Sequence, residues 1–238
     1  GSTSSVWYVS ALGCRRSGIA RGLATKRTGT LGLVVPDVAN PFFSDVARGA
    51  EHVAYGEGYN VFLCNTEEDP ARELAVLQSL EEKRVDGVVV CSSRLDDTDL
   101  MAALDHHTSA VLVNRRLRNW GPRGTIVGSV VVDDELGGRI ATQHLLDAGH
   151  RAIGFLAGPP ASRSRRLRFE GYRAAFRAAG VEPEPVWIRH CAPQVEGGQK
   201  AATRLLAGDA GTRPQLTALL CYNDLVAVGA LQACADLG

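Results

Sequence analysis

The chain has no run of roughly 18 consecutive apolar residues, so nothing in it can cross a bilayer as a helix. Its six cysteines include no Cys-x-x-Cys pair, and no histidines stand at zinc-finger spacing, which removes the usual framework of a structural zinc site. Cys64, Cys91 and Cys221 close short apolar runs, a place for small buried thiols rather than ligands. Reduced thiols of this kind point to the cytoplasm. Neither charge sign is in excess: 26 Lys plus Arg balance 26 Asp plus Glu, so net charge singles out neither a nucleic-acid binder nor a membrane-surface protein. Catalytic signatures are missing as well. There is no Gly-x-Ser-x-Gly elbow, no Gly-x-x-x-x-Gly-Lys-Ser/Thr loop, no His-Glu-x-x-His, and no Gly-x-Gly-x-x-Gly after a strand. The histidines, including the pair His106 and His107, lie in polar or helix-end contexts that suit solvated side chains. With no nucleophile, base and orienting group to name, the expectation is a protein that is not an enzyme and uses no metal or cofactor.

What the chain does have is an uneven distribution of charge. No Asp or Glu precedes Asp37, whereas Arg15, Arg16, Arg21, Lys26 and Arg27 all fall in that first segment. A basic terminus suits contact with a polyanion, and a solvated tail is the plainer reading of the same residues.

Apolar runs then recur at intervals of about 25 to 30 residues, the spacing of one strand plus one crossover helix: "LGLVV" from Leu31, "VFLC" from Val61, "VVVC" from Val88 and "AVLV" from Ala110. Between the first two, Phe43, Val46, Ala47, Ala50, Val53 and Ala54 share one helical face, with Asn40 as N-cap, Pro41 at the first helical position and Gly58 closing the helix. Asp69 and Pro70 repeat the device ahead of Leu74, Leu77 and Leu80. A second series starts near "SVVV", with Asp133 and Asp134 capping a helix, and continues through "AIGFLAG", "VWIR" and "TALLC" to a helix opening at Asn223 and Asp224. The strand runs lack polar alternation, which predicts parallel sheets with helices on both faces. The expected fold is therefore α/β, with two Rossmann-like lobes, residues 29–128 and 129–238, after a disordered or hinge segment at 1–28. Ligands of such sheets sit at the strand C-termini, so two facing edges predict a crevice between the lobes.

Several residues fall at those edges. Phe42, after the first strand, is placed to stack on a ring while Phe43 turns into the core. Ser162, Ser164 and Arg168 follow "GFLAG", and Arg168 offers a rigid five-donor fork. The neighbouring Arg163, Arg165 and Arg166 also read as a solvated basic face. Asn223 ends another strand, where its amide serves either the helix or a ligand.

The ordered segments "SGIARGLATKRTGTLGLVVPDVANPFF", "KRVDGVVV", "VNRR", "GHRAIGFLAGP", "RFEGYRAAF" and "CYNDLVAVGALQACADLG" resemble the LacI family of bacterial transcription repressors, in its effector-binding region, over about Leu12 to Gly238. The resemblance implies a periplasmic-binding-protein-like fold of type I, truncated at its C-terminus, with no helix-turn-helix ahead of it. It implies an effector crevice lined by Phe42, Asn114, Ser162, Ser164, Arg168, Pro193 and Asn223. It implies a short hinge helix containing Ile19, Ala20, Arg21, Leu23 and Lys26, with Leu23 wedged into the minor groove of operator DNA. A helix that short, with Gly22 inside it, needs a partner to form, and an inserted apolar side chain kinks the duplex.

The function so implied is a cytoplasmic, homodimeric ligand-sensing domain of a repressor, with no membrane association. It binds a small polar metabolite, a sugar foremost, to control operator binding, while this chain by itself binds the operator weakly or not at all. In the family the helices of the first lobe form much of the dimer interface, which singles out the face from Val46 to Val53. The alternative reading is the sugar-binding component of a transporter, periplasmic or a lipoprotein, for which "SALGC" offers a poor export signal.

Overall fold

A computed structural model describes residues 27–117, 125–208 and 215–238. The hinge residues expected at Ile19, Ala20, Arg21, Leu23 and Lys26 lie outside the described residues.

The first lobe alternates strand and helix: β1 Thr30–Val35, α1 Pro41–Gly56, β2 Asn60–Asn65, α2 Pro70–Glu82, β3 Gly87–Cys91, α3 Asp97–Leu104, β4 Ser109–Val113 and β5 Ile126–Val130. All strand pairs are parallel, in the order β2-β1-β3-β4-β5. The second lobe comprises α4 Asp134–Asp147, β6 Ile153–Leu156, α5 Arg163–Ala178, β7 Ile188–Arg189, α6 Val195–Ala207, β8 Ala218–Cys221 and α7 Asp224–Leu237, with a parallel sheet in the order β7-β6-β8.

Helix starts are chemically marked. The side chains of Asn40, Asp69, Asp96, Asp133, Ser162 and Asn223 each accept a hydrogen bond from a first-turn N–H of the helix they precede, satisfying donors with no partner inside the helix. Since these helices follow strand C-termini, capping also fixes polar groups along the two edges that face each other.

Cores lie on both sides of each sheet. Val88, Val90 and Leu112 pack with Leu77, Leu80, Leu100 and Leu104, while Leu33, Val35 and Phe43 fill the opposite face. In the second lobe Ile153 and Phe155 meet Tyr172 and Phe176, and Leu156 meets Leu205, Val226 and Ala230. Full coverage of the strands fails at the edges. Phe62 and Leu63 of β2 and Ile126 and Val130 of β5 are exposed, because each outer strand has a neighbour on one side only and the helices gather over the centre. The lobe boundary expected after Gly128 falls inside β5. That strand pairs with β4 from Ser109↔Ile126 to Val113↔Val130, so the first sheet keeps it whole. On α1, Val46, Ala47 and Ala50 pack against the sheet, while Phe42 at its start and Val53 and Tyr55 toward its end are exposed.

The sheet thiols have a measurable consequence. Burial pushes Cys91 and Cys221 from the ordinary 9.0 up to about 12. They stay neutral in the fold at pH values where unfolded thiols ionise, so the stability they support is complete below pH 9.0 and is lost as pH rises toward 12. Among the described residues, a thiol reagent at pH 8 should modify exposed Cys234 well before half-buried Cys221, and reach buried Cys91 only on unfolding. Peptide mapping of a timed labelling series checks this, and early labelling of Cys91 would contradict it.

Candidate functional site

The facing strand edges enclose a cleft of about 460 Å³. From the first lobe it is lined by Asn40 to Phe43 and Asp45 at the start of α1, Glu68 after β2, Ser92 and Arg94 after β3, and Asn114 after β4. From the second come Val132, Ser164 and Arg168, then Pro193 and Tyr222 to Leu225. Strand β1 lies between β2 and β3 while the chain order reverses there, the switch point at which doubly wound sheets leave an opening.

Two arginines dominate the polar surface. Arg168 donates from Nε, at 2.9 Å, and from Nη2, at 2.8 Å, to Oδ1 of Asp134, whose side chain is only 4% exposed. Its Nη1 donates to the Tyr222 carbonyl, and the guanidinium lies 5.3 Å from the centre of the Tyr222 ring. Arg94, from the first lobe, is almost completely buried. It donates from Nε to Glu68 at 2.5 Å and from Nη1 to the Ser92 carbonyl at 2.7 Å. Its backbone N–H donates to the buried carboxylate of Glu73 at 2.8 Å. Burial opposes the charge on Arg94, but the hydrogen bond and charge of Glu68, with help from Tyr222, outweigh it and raise its pKa. The Arg94 guanidinium therefore stays charged at every working pH.

Of the seven residues expected from sequence, Phe42, Asn114, Ser164, Arg168, Pro193 and Asn223 line this cleft. Phe42 is half exposed, edge-on to the buried Phe43 ring at 5.1 Å. Asn223 divides its amide: Oδ1 accepts from the Val226 N–H at 2.9 Å and Nδ2 donates to the Pro193 carbonyl at 3.1 Å. The amide thus ties two loops together besides capping α7. Asn114 holds a left-handed backbone, φ 57°, and its N–H donates to the Val130 carbonyl at 2.8 Å. Ser162 departs from the set. It lines a second cavity beside the first, caps α5, and lies with its hydroxyl 2.9 Å from that of Tyr222. Sequence reasoning missed Glu68, Arg94 and Tyr222. The strand-end rule that selected Asn223 applies equally to the "SSR" following β3 and to Tyr222, adjacent to Asn223.

The cleft can hold a compact polar molecule by hydrogen bonds from guanidinium and amide groups, with an aromatic face at one wall. Among the described residues no group of three or more His, Cys, Asp or Glu side chains is placed to hold a metal ion, and no helix is long and apolar enough to cross a membrane.

Residues 28–238 match the family described as periplasmic binding proteins and sugar binding domain of LacI family. A transcriptional repressor named PurR, from Aliivibrio fischeri, is 34% identical over 227 residues, which are 95% of this chain and 66% of the relative. The chain thus spans slightly under two thirds of that relative's length. Among solved structures, a LacI family transcriptional regulator from Mycobacterium smegmatis is 34% identical with a TM-score of 0.73, over 87% of this chain and 73% of that one. A sugar-binding LacI-family regulator from Escherichia coli, solved with phosphate, is 27% identical with a TM-score of 0.71, over 89% and 73% respectively.

Proposed function

Because the chain belongs to the family of periplasmic binding proteins and LacI-type sugar-binding domains, we propose that it is the ligand-sensing region of a cytoplasmic LacI-type repressor that binds a small polar metabolite, foremost a sugar. The observation that carries this reading is the cleft itself, where Phe42 and Asn114 of one lobe face Arg168 and Asn223 of the other. A ligand touching both sides has different affinity for different lobe orientations, which is what moves a conformational equilibrium. Across the cleft, Gln194 Nε2 donates to Asp37 Oδ2 at 3.4 Å, and Tyr222 interacts with Arg94 through charge and a side-chain hydrogen bond. In the proposed mechanism the lobes reorient on binding, and the basic segment around Leu23 and Lys26 transmits this to operator DNA. A homodimer would bring two such segments together. Exposed Val53 and Tyr55 of α1, with Phe62 and Leu63 of β2, offer the apolar surface for it. The repressor relatives weigh against the transporter reading, which predicts no DNA response at all.

Thermal unfolding of the chain with panels of sugars, nucleobases and small acids tests the proposal. A ligand at a hundredfold excess over its dissociation constant stabilises by about 2.7 kcal/mol, so one chemical class should raise the midpoint by several degrees while the others leave it unchanged. A cooperative transition indifferent to every compound would refute a sensing role for the cleft.

A further inference from the structure

Beside the first cleft lies a second cavity, also between the lobes, of about 820 Å³. Arg94 lines both, and the Ser162–Tyr222 hydroxyl pair spans the wall between them. Five arginines line the second cavity: Arg94 and Arg115 from the first lobe, and Arg163, Arg165 and Arg166 from the second. Two carboxylates, Asp96 and Asp97, line it with them, and from outside the lining Glu68 pairs with Arg94 and Glu170 stands 3.9 Å from Arg166. Asp97 takes a hydrogen bond from Arg115 Nη2 at 2.6 Å, and Asp96 caps α3.

Two features of this cavity are costly unless it receives an anion. Arg163, Arg165 and Arg166 occupy the first turns of α5, and that first turn holds no acidic residue, although the partial positive charge of a helix N-terminus repels cations. The Nε atoms of Arg115 and Arg165 are buried with no hydrogen-bond acceptor among the described residues, whereas buried donors are nearly always paired. Arg115 is itself held rigid, its side chain 8% exposed, by Asp97 and by the carbonyls of Leu95 and Ser93. A tetrahedral dianion would answer both, taking charge-assisted hydrogen bonds from guanidinium forks while lying near a helix N-terminus.

We propose that this second cavity is a phosphate subsite, taking the phosphoryl group of a molecule whose polar body lies in the first cleft, or inorganic phosphate bound beside it. The inference rests on the sensing role proposed above for the first cleft. It gives Arg165 and Arg166 a role as specificity-determining residues and makes the phosphorylation state of the metabolite the quantity sensed. The wall built by Arg94, Ser162 and Tyr222 would then divide recognition of the body from recognition of the charge.

Isothermal titration of the chain at low and high salt tests this with ribose and ribose 5-phosphate, glucose and glucose 6-phosphate, and inorganic phosphate alone. An ester should bind at least roughly tenfold more tightly than its parent sugar at low salt, the size expected for hydrogen bonds to a charged group, and the advantage should shrink as salt is raised. In Arg165→Ala and in Arg166→Ala the ester-to-parent ratio should fall toward one. Taking the ratio within each variant removes any general loosening of the fold, which weakens both ligands alike. Binding of inorganic phosphate alone, lost in the same two variants, would identify a free anion as the source and equally support the subsite. Sugars that bind while neither ester nor phosphate gains anything would overturn the subsite and leave the sensing role standing. Phosphate bound without any sugar or ester would do the reverse. An ester advantage that survives both substitutions, or no binding by any compound, would also overturn the subsite.

Discussion

Replacing Arg168 with alanine is expected to cost the protein about 3 kcal/mol, the scale on which a buried ion pair loses one partner, and to abolish the response to ligand. The reason lies beneath the cleft rather than in it. Asp134 is almost wholly buried, and Arg168 brings two N–H groups to its Oδ1, at 2.9 and 2.8 Å. Without the guanidinium the carboxylate is left in a low-dielectric site with its main counter-charge gone. The same side chain donates to the Tyr222 carbonyl, one residue before Asn223, so its loss also loosens the loop that carries the other amide of the cleft. Arg168→Lys separates the two effects. A single ammonium can answer Asp134 or the carbonyl but cannot hold the fork geometry of both, so much of the stability should return while ligand binding stays weak. Urea unfolding and titration with whichever compound stabilises the parent chain provide the two readings. An alanine variant within about 1 kcal/mol of the parent would show that the pair is no better than an exposed one.

A comparable loss is expected from Gly171→Ala, although no polar group is touched. A β-carbon at Gly171 would stand 2.0 Å from the Glu135 carbonyl oxygen and 2.6 Å from the Arg139 nitrogen, and one at Gly138 would stand 2.2 Å from the Arg168 carbonyl oxygen. Helices α4 and α5 therefore meet backbone to backbone through two reciprocal glycines, and a methyl group can enter only by driving them apart. Overpacking of this kind costs about 1–3 kcal/mol, more where backbone must move. Asp134 stands on one helix and Arg168 on the other, so their separation should also stretch the ion pair and reduce ligand affinity. Gly137→Ala is the matched control, because nothing lies within 4 Å of its added β-carbon. In a helix interior that change should stabilise by about 0.5–1 kcal/mol. A Gly171→Ala variant as stable as the Gly137→Ala one would show that the crossing is looser than its geometry indicates. Helices α6 and α7 repeat the arrangement through Gly198 and Gly229, so both helix pairs that present residues to the cleft are set at contact distance by the absence of a side chain.

These glycines show where reading the chain stops. "ELGGRIATQHLLDAG" announces a helix with a cap, but Gly137 and Gly138 look alike in it. Only the crossing of two helices makes one of them open and the other irreplaceable. The arginines divide in the same way. Arg168 is identifiable in the helix that follows a strand end. Arg94, after "VVVCSS", carries the same signal, yet its burial and its pairing with Glu68 need α2 and the other lobe to be in place. Edge exposure was hidden for a related reason. "VFLC" and "VVVC" are equally apolar, but β2 ends up at the rim and β3 at the centre, and strand order is a long-range property that local periodicity does not carry.

The sequence by itself determined the alternation of strands and helices, the caps that begin the helices, the family, and six of the residues along the cleft, since all of these depend on residue type and on spacings of a few positions. The tertiary structure alone decided the rest: which strands lie at the edges, that β5 stays with the first sheet, that Ser162 faces a second cavity instead of the first, and that Arg115 joins three arginines of α5 around it. Those outcomes depend on distances between residues far apart in the chain, which are set only when the packed helices and the two sheets bring their edges face to face.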